Sequence, residues 1–151
     1  MQVLCYEDGF GPTKVVHPAP GVDLETVKSL LDVPLNTVFI VVDSNDLPQD
    51  RVFRNAWTLL DGEVQIDRSK AESIHLNRLR YLREQQLDKL DIAYMRAVEK
   101  GQNPQFIVDL KQQLRDLPET FDLSQYSIEE LKLAKPDYLE GDLSLVNNMV
   151  L

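Results

Sequence analysis

The side chains best suited to chemistry in this chain are one cysteine and two histidines, Cys5, His17 and His75. These three residues are too few to build a Cys/His zinc cage. A nucleophilic pair of Cys5 and His75 has no supporting local signature. Gly9 and Gly11 form the closest glycine pair, and neither GxGxxG nor GxxxxGK follows them. The sequence therefore predicts no catalytic residue, no metal, no cofactor and no small-molecule substrate.

Three carboxylates, Asp43, Asp46 and Asp50, lie in one polar stretch. Spaced carboxylates are a ligand set for calcium, but an EF-hand loop also needs a central glycine and a terminal glutamate. Because this stretch has neither at the required offsets, the sequence favours a plain polar loop.

A motif of mixed basic and aromatic residues follows: Asp50, Arg51, Phe53, Arg54 and Trp57. Such a cluster could bind a partner. The favoured interpretation is architectural. Phe53 and Trp57 are expected to anchor a sheet on a long helix, while Arg51 and Arg54 pair with nearby acids.

Cys5 has two interpretations that the sequence leaves open. In the first it is a buried thiol that behaves as a small hydrophobic residue. In the second it forms an intermolecular disulfide, since a sole cysteine has no partner within its own chain. Glu7 and Asp8 are expected to raise the pKa of the thiol by like-charge repulsion, which argues against ready coupling.

The charge of the chain excludes several kinds of partner. The 151 residues carry a net charge of −9, which argues against nucleic acid and anionic membrane surfaces. No apolar run approaches the ~20 residues of a membrane span, so we expect a soluble protein made in a cytoplasm. The charge balance is −7 over 1–67, +3 over 68–118 and −5 over 119–151. These three segments are expected to form one structural unit.

The first segment predicts a small sheet. Alternation favours a strand at Gln2–Tyr6 and a hairpin partner at Lys14–Val16. The run 37–42 is β-branched, aromatic and nearly all apolar, which is typical of a central strand buried on both faces.

The same segment also predicts a short helix and a second hairpin. Asp23 is a good N-cap for a helix over 24–31. Residues 56–60 and Glu63–Ile66 are joined by Asp-Gly, a favoured pair for a type I′ turn.

The second segment predicts a helical hairpin. Residues 69–100 contain neither glycine nor proline, and the position of Gly101 after the last periodic residue predicts a C′ glycine. A second helix over 104–116 can fold back on the long one. At 13 residues this helix covers less than half of its partner.

The uncovered part of the long helix has two interpretations. Either the sheet covers one face and the remaining apolar residues are ordinary surface residues, or one apolar stripe is an interface with another chain. The interface candidates, including two residues of the C-terminal tail, are Leu76, Leu79, Leu82, Ile74, Tyr81, Met95, Leu145 and Met149.

The third segment predicts a short helix and an extended apolar tail. Ser127 and Glu130 form a capping box for a helix that ends before Pro136. The tail would expose many apolar side chains if it were free, so it either packs back on its own chain or docks on a partner. The fold class is therefore α+β: a small N-terminal sheet with a short helix, a helical hairpin and an extended tail.

Two stretches of the chain resemble small proteins encoded in bacteriophage tail-gene regions. The first is 46–57, which follows an apolar strand ending in Val-Asp. The second is 90–101, with the pattern Leu-Asp-x-x-Tyr-Met-Arg-Ala-x-Glu-x-Gly. Between and after them the resemblance continues at Lys70, Ala71, Ile74, Arg78, Arg80, Lys111, Leu114, Arg115 and Asp116.

The resemblance covers about residues 33–118. It points to a family more clearly than it implies a function. It implies a non-enzymatic component of the phage tail, at the fibre or baseplate, that binds other tail proteins or itself. The alternative is a tail or tail-fibre assembly chaperone that is not retained in the virion. The location implied is the virion tail, and the host cytoplasm during assembly. After Leu117 the sequence departs from the family pattern, so partner specificity held in that region is not inherited.

Overall fold

The computed structural model describes residues 1–146, with the backbone alone at Leu145. It has a small antiparallel sheet, then a long helix and shorter helices, as the sequence predicts. Two compact units divide after Ala71: residues 1–71 and 72–151. The predicted boundary at 67 lies close to this division. No division falls at the predicted boundary of 118, and the expectation of one structural unit stays a prediction. No helix among the described residues is long and apolar enough to span a membrane.

The N-terminal unit contains a three-stranded sheet with the order β2-β1-β3. Its strands are β1 (Gln2–Tyr6), β2 (Lys14–Val16) and β3 (Phe39–Asp43), and both pairings are antiparallel. β1 is therefore the central strand and β3 lies at an edge. The prediction that the run 37–42 forms the central strand was wrong. Side chains on the second face of such a strand need a cover, and the short helix α1 (Leu24–Leu30) buries none of its own residues.

A second layer is the hairpin of β4 (Trp57–Leu60) and β5 (Glu63–Ile66). Asp61 has φ 53° and Gly62 has φ 79°, so both central residues of the turn are left-handed, as a type I′ turn requires. The hairpin and the sheet share one apolar core, to which alternate residues of the strands contribute. Its buried residues are Val3, Cys5, Leu47, Trp57 and Val64, with Val15, Ile40, Val42, Leu59 and Ile66 packed against them.

The C-terminal unit is organised by α2 (Arg68–Glu99), whose first residues belong to the N-terminal unit, and α3 (Gln105–Thr120). Gly101 has φ 70° and follows the end of α2, where its left-handed backbone allows the chain to reverse. Lys111 of α3 forms an ion pair with Asp91 of α2 at 2.5 Å. The same ammonium lies 5.6 Å from the ring centroid of Tyr94. These contacts join the second half of α2 to α3, as the predicted helical hairpin requires.

The segment after α3 contains only α4 (Ile128–Leu131) and a 3-10 turn at Leu143–Val146. The side chain of Ser127 accepts a hydrogen bond from the Glu130 N–H at 3.2 Å, which confirms the predicted cap. The helix is shorter than the two turns expected. Several apolar residues of the segment are buried, which shows that the described part of the tail packs back on the chain: Leu123, Leu131, Ala134, Leu139, Leu143 and Val146.

Polar side chains of α2 hold this segment. His75 Nε2 lies 2.6 Å from the Ala134 carbonyl. The Gln86 amide donates to the Tyr138 carbonyl at 2.8 Å and accepts from the Glu140 N–H at 2.7 Å. We call residues 134–141 the strap. The strap supplies the cover that the first half of α2 lacks in the predicted two-helix hairpin.

Candidate protein-interaction site

The outer side of β3 is unpaired within residues 1–146. The Ser44 N–H donates to the Met1 carbonyl at 2.7 Å, which fixes the phase of the β1–β3 ladder. In an antiparallel ladder of this phase, the even-numbered residues of β3 exchange hydrogen bonds with β1. The odd-numbered residues direct their N–H and C=O groups away from the sheet. β3 therefore presents a free row of backbone donors and acceptors.

The free row belongs to Phe39, Val41 and Asp43, and Val41 is 50% exposed. The strand contains no lysine, proline or glycine, which are residues that commonly protect an edge strand from pairing. The opposite edge of the same sheet is different, because β2 is three residues long, begins with Lys14 and is followed closely by Pro18. Only the β3 edge of this sheet is open to another strand on these criteria.

Two grooves lie along β3 and meet at Gly62 of the hairpin turn. The first has a volume of about 500 Å³ and is lined in part by Val38, Ile40 and Leu59. The second has a volume of about 560 Å³ and is lined in part by Val42 and Val64. Both grooves contain apolar side chains from the margin of the core, and the lining of the second groove is mostly polar.

The rims of the two grooves are acidic. Carboxylates line both, and no lysine or arginine does: Glu7, Asp8 and Asp61 in the first, Asp43, Asp46 and Glu63 in the second. Lys28, from α1, lies over the Phe39 ring at 5.3 Å from its centroid and does not line either groove. The field in the grooves is therefore set by negative charge.

Three of these carboxylates have partners within the chain. Glu7 accepts hydrogen bonds from the Leu59 N–H at 2.9 Å and from the hydroxyls of Thr58 and Thr13. The Leu59 bond contributes most to holding the pKa of Glu7 below its ordinary value. Asp8 lies 4.0 Å from the Lys14 ammonium.

Asp43 accepts a hydrogen bond from the Asn45 N–H at 2.9 Å and pairs with the N-terminal ammonium of Met1 at 3.3 Å. The Asn45 bond, followed by the ammonium, lowers the pKa of Asp43. The remaining carboxylates, Asp46, Asp61 and Glu63, are exposed, and no cation within residues 1–146 forms an ion pair with them.

The motif around Trp57 is architectural. Trp57 and Phe53 are buried, and the core neighbours of Trp57 are strand residues. The Arg54 guanidinium stacks over the Trp57 ring at 4.4 Å from its centroid and donates to the Thr13 carbonyl at 2.8 Å. The predicted carboxylate partner of Arg54 is thus replaced by a carbonyl and a ring. Arg51 is exposed, and Asp50 accepts a hydrogen bond from the Val52 N–H at 2.9 Å.

Cys5 is fully buried in the N-terminal core as a free thiol. Burial raises the pKa of the thiol, and the positive charge of Arg54 opposes this rise. Burial therefore replaces the predicted repulsion by Glu7 and Asp8 as the main cause. A thiol without accessible surface cannot reach a second chain, so the structure argues against the disulfide and for the buried hydrophobic residue.

The predicted interface stripe on α2 divides between core and surface. Leu79 is 0% and Leu82 4% exposed, so these two residues are corrected from interface to core. The strap covers Leu82, since a Cβ placed on Gly141 would lie 2.8 Å from a methyl carbon of Leu82.

Among the other candidates, Met95 is 56% exposed, while three are half-buried: Ile74, Leu76 and Tyr81. The side chain of Leu145 and all of Met149 lie outside the described residues. The first half of the stripe therefore offers little free surface, and Met95 remains the exposed candidate.

The aspartates of the candidate calcium loop do not converge with other ligands. The described residues contain no group of three or more His, Cys, Asp or Glu side chains placed to hold a metal ion. Asp46 instead lies in a 3-10 turn, Ser44–Asp46, directly after β3, where it lines the second groove.

The free β3 edge was missed in the sequence because an all-apolar run is typical of a central strand. One signal could have corrected this. The helix over 24–31 is too short to cover the second face of every strand, and the strand that is buried on both faces is β1. No protein-family model, curated protein or solved structure matches the chain.

Proposed function

We propose that this chain is a non-enzymatic component of a bacteriophage tail, associated with the fibre or baseplate, that acts by binding other tail proteins. The observation that carries the binding role is the free edge of β3 with its two grooves. Edge strands with exposed apolar residues and no lysine or proline pair readily with other chains. A partner strand would satisfy the free backbone groups of this edge.

The phage context of the proposal is supported by the resemblance over 33–118. Both resembling stretches have a defined place in the fold. Residues 46–57 connect β3 to the hairpin and contribute Trp57 to the core, and 90–101 form the end of α2 and its C-terminal turn. The location proposed is the virion tail, with assembly in the host cytoplasm.

Quantitative mass spectrometry of purified virions tests this proposal. Virions of the phage that encodes the chain are expected to contain it in a fixed ratio to the tail proteins. Crosslinking of intact virions before digestion is expected to join it to fibre or baseplate proteins. A matched preparation of tail-less heads serves as the control and should lack the chain.

The same experiment separates the alternative function. An assembly chaperone would be found with fibre or tail protein in infected cells and would be missing from purified virions. That outcome would contradict a virion component and support the chaperone. Absence from both fractions would contradict both functions.

A further inference from the structure

The β3 edge has two properties that together restrict what can cover it. Its backbone groups at Phe39, Val41 and Asp43 point away from β1. Ile40 and Val42 contribute apolar side chains to the adjoining grooves. An extended chain would meet both requirements, because it pairs through its backbone and places every second side chain on the groove side.

The charge of the rims selects among extended chains. Asp46 lies just beyond one end of β3, and Asp61 and Glu63 lie on the hairpin across the grooves. These three exposed carboxylates lack a cation within the described part of the chain. A second copy of this chain would bring the same acidic rims into proximity, and like charges close together are unfavourable. A basic segment would instead be attracted.

We propose that the β3 edge binds an extended segment of a partner protein in which lysine or arginine residues flank an apolar, alternating centre. The segment adds to the sheet as a fourth strand next to β3. Its apolar side chains cover Ile40 and Val42, and its flanking cations face Asp46, Asp61 and Glu63. This inference rests on the proposed binding function and names the class of partner.

The test uses the full chain and a capped ten-residue peptide. Valine and threonine alternate in the centre of the peptide, and lysines flank them at both ends. Two control peptides are matched to it. One has glutamates in place of the lysines, and the other keeps the lysines but has two prolines in the centre, which prevent strand pairing.

Amide hydrogen exchange measured by NMR locates the binding. The amide protons of Phe39, Val41 and Asp43 are expected to become protected when the lysine peptide is added. The amide protons of Ile40 and Val42 already bond to β1 and are expected to change little. The proline peptide is expected to bind about tenfold more weakly, as loss of one or two net hydrogen bonds would produce. The glutamate peptide is also expected to bind more weakly, because its charges repel the acidic rims.

Two variants of the protein separate backbone pairing from charge. Val41→Pro removes one outward N–H without removing a bond to β1, and Val41→Ala is its matched control. Val41→Pro is expected to weaken binding about tenfold, and Val41→Ala much less.

The charge variant combines Asp46→Asn, Asp61→Asn and Glu63→Gln. Its control combines Glu99→Gln, Glu119→Gln and Glu129→Gln, which make the same change in net charge at exposed positions elsewhere. Only the first set is expected to reduce both the affinity and its dependence on salt. This set also tests the proposal if Val41→Pro fails to fold, since it changes only exposed side chains.

Several outcomes would overturn the proposal. Equal binding of the lysine and proline peptides would show attraction by charge without strand pairing. If the lysine peptide protects only amides that lie outside β3, the binding site lies elsewhere. Protection of β3 that rises with protein concentration, without peptide, would identify a second copy as the occupant. Each of these outcomes is independent of whether virions contain the chain, so failure here is distinguishable from failure of the proposed function.

Discussion

The two units of this chain bury their apolar residues by different means. In the N-terminal unit, alternate side chains of the strands pack between two layers. The backbone of each strand pairs with a neighbouring strand of its own layer. In the C-terminal unit, the strap crosses α2 without a ladder of its own. Three of its backbone groups are paired by His75 and Gln86 of the helix instead, and the Leu139 N–H donates to the Pro136 carbonyl within the strap.

The difference shows how a helix can hold irregular backbone. Buried backbone groups must be paired, and the strap cannot pair them with a neighbouring strand. His75 and Gln86 are 11 residues apart, which is about three helical turns, so they lie on the same face of α2. The buried His75 and Gln86 therefore mark where the strap packs along α2.

The largest effect is expected for Trp57→Ala in the N-terminal unit. Truncation of a buried aromatic side chain costs about 3–5 kcal/mol, and Trp57 lies in a core shared by both strand layers. Urea denaturation followed by far-ultraviolet circular dichroism measures this loss. Leu60→Ala, at an exposed position of the same hairpin, is the control and should cost under ~0.5 kcal/mol. Equal effects of the two variants would contradict the two-layer core.

The next effect is expected for Leu139→Ala in the strap. Leu139 is buried, and removal of a buried leucine side chain costs about 2–5 kcal/mol. Leu133→Ala is the matched control, since Leu133 is exposed on the same segment. Limited proteolysis should cut the Leu139 variant faster near 134–141. If both variants resist cleavage as the parent chain does, the strap is not held by Leu139.

The sequence predicts regular elements well in this chain because local physics determines them. Strand alternation, the Asp23 cap, the Asp61-Gly62 turn and the uninterrupted helix are each encoded within a few residues. The position of β3 in the sheet was predicted wrongly, because strand order depends on which faces are covered elsewhere. Burial of an apolar strand is a tertiary property that its own residues do not determine.

The strap and the β3 site could be predicted only in part. The apolar tail indicated packing on something, and the structure identifies α2 as its support through His75 and Gln86. These two residues could not be singled out from the sequence, because a histidine and a glutamine are ordinary residues within a helix rich in charged residues. The acidic rims are formed by residues distant in sequence, such as Asp46 and Asp61, which only the fold brings to the same grooves.

A smaller effect is expected for Gln86→Leu, which keeps the volume of the side chain but removes its hydrogen bonds. The Tyr138 carbonyl and the Glu140 N–H would then lose their partner. Both bonds are part-buried, so the expected cost lies near the lower end of the about 1–3 kcal/mol found for buried groups left unpaired. Gln85→Leu makes the same change at the exposed neighbouring position and should be nearly neutral. Thermal unfolding compares the two variants, and equal melting temperatures would show that polar pairing contributes little to the strap.

The smallest effect is a dependence of stability on pH that arises from His75. Burial lowers the pKa of this ring below its ordinary value of 6.5, the bond to Ala134 opposes the shift, and the positive charge of Arg78 adds to it. Below pH 6.5 the unfolded chain takes up a proton that the folded chain does not. The free energy of unfolding should therefore fall as the pH drops below about 6.5, and stop falling below the folded-state pKa.

Uptake of this one proton by the unfolded chain lowers the free energy of unfolding by less than about 1 kcal/mol at pH 6. Urea denaturation of the parent chain and two variants, in steps of about half a pH unit from about pH 7.5 to about pH 6.0, measures this contribution to the free energy of unfolding. His75→Gln keeps an amide donor for the Ala134 carbonyl but cannot titrate, so its stability should vary less over this range. His17→Gln, at an exposed position, controls for the residue type. If His75→Gln retains the full pH dependence of the parent chain, the buried imidazole is not its source, and the strap is held in the same way at both ends of the range.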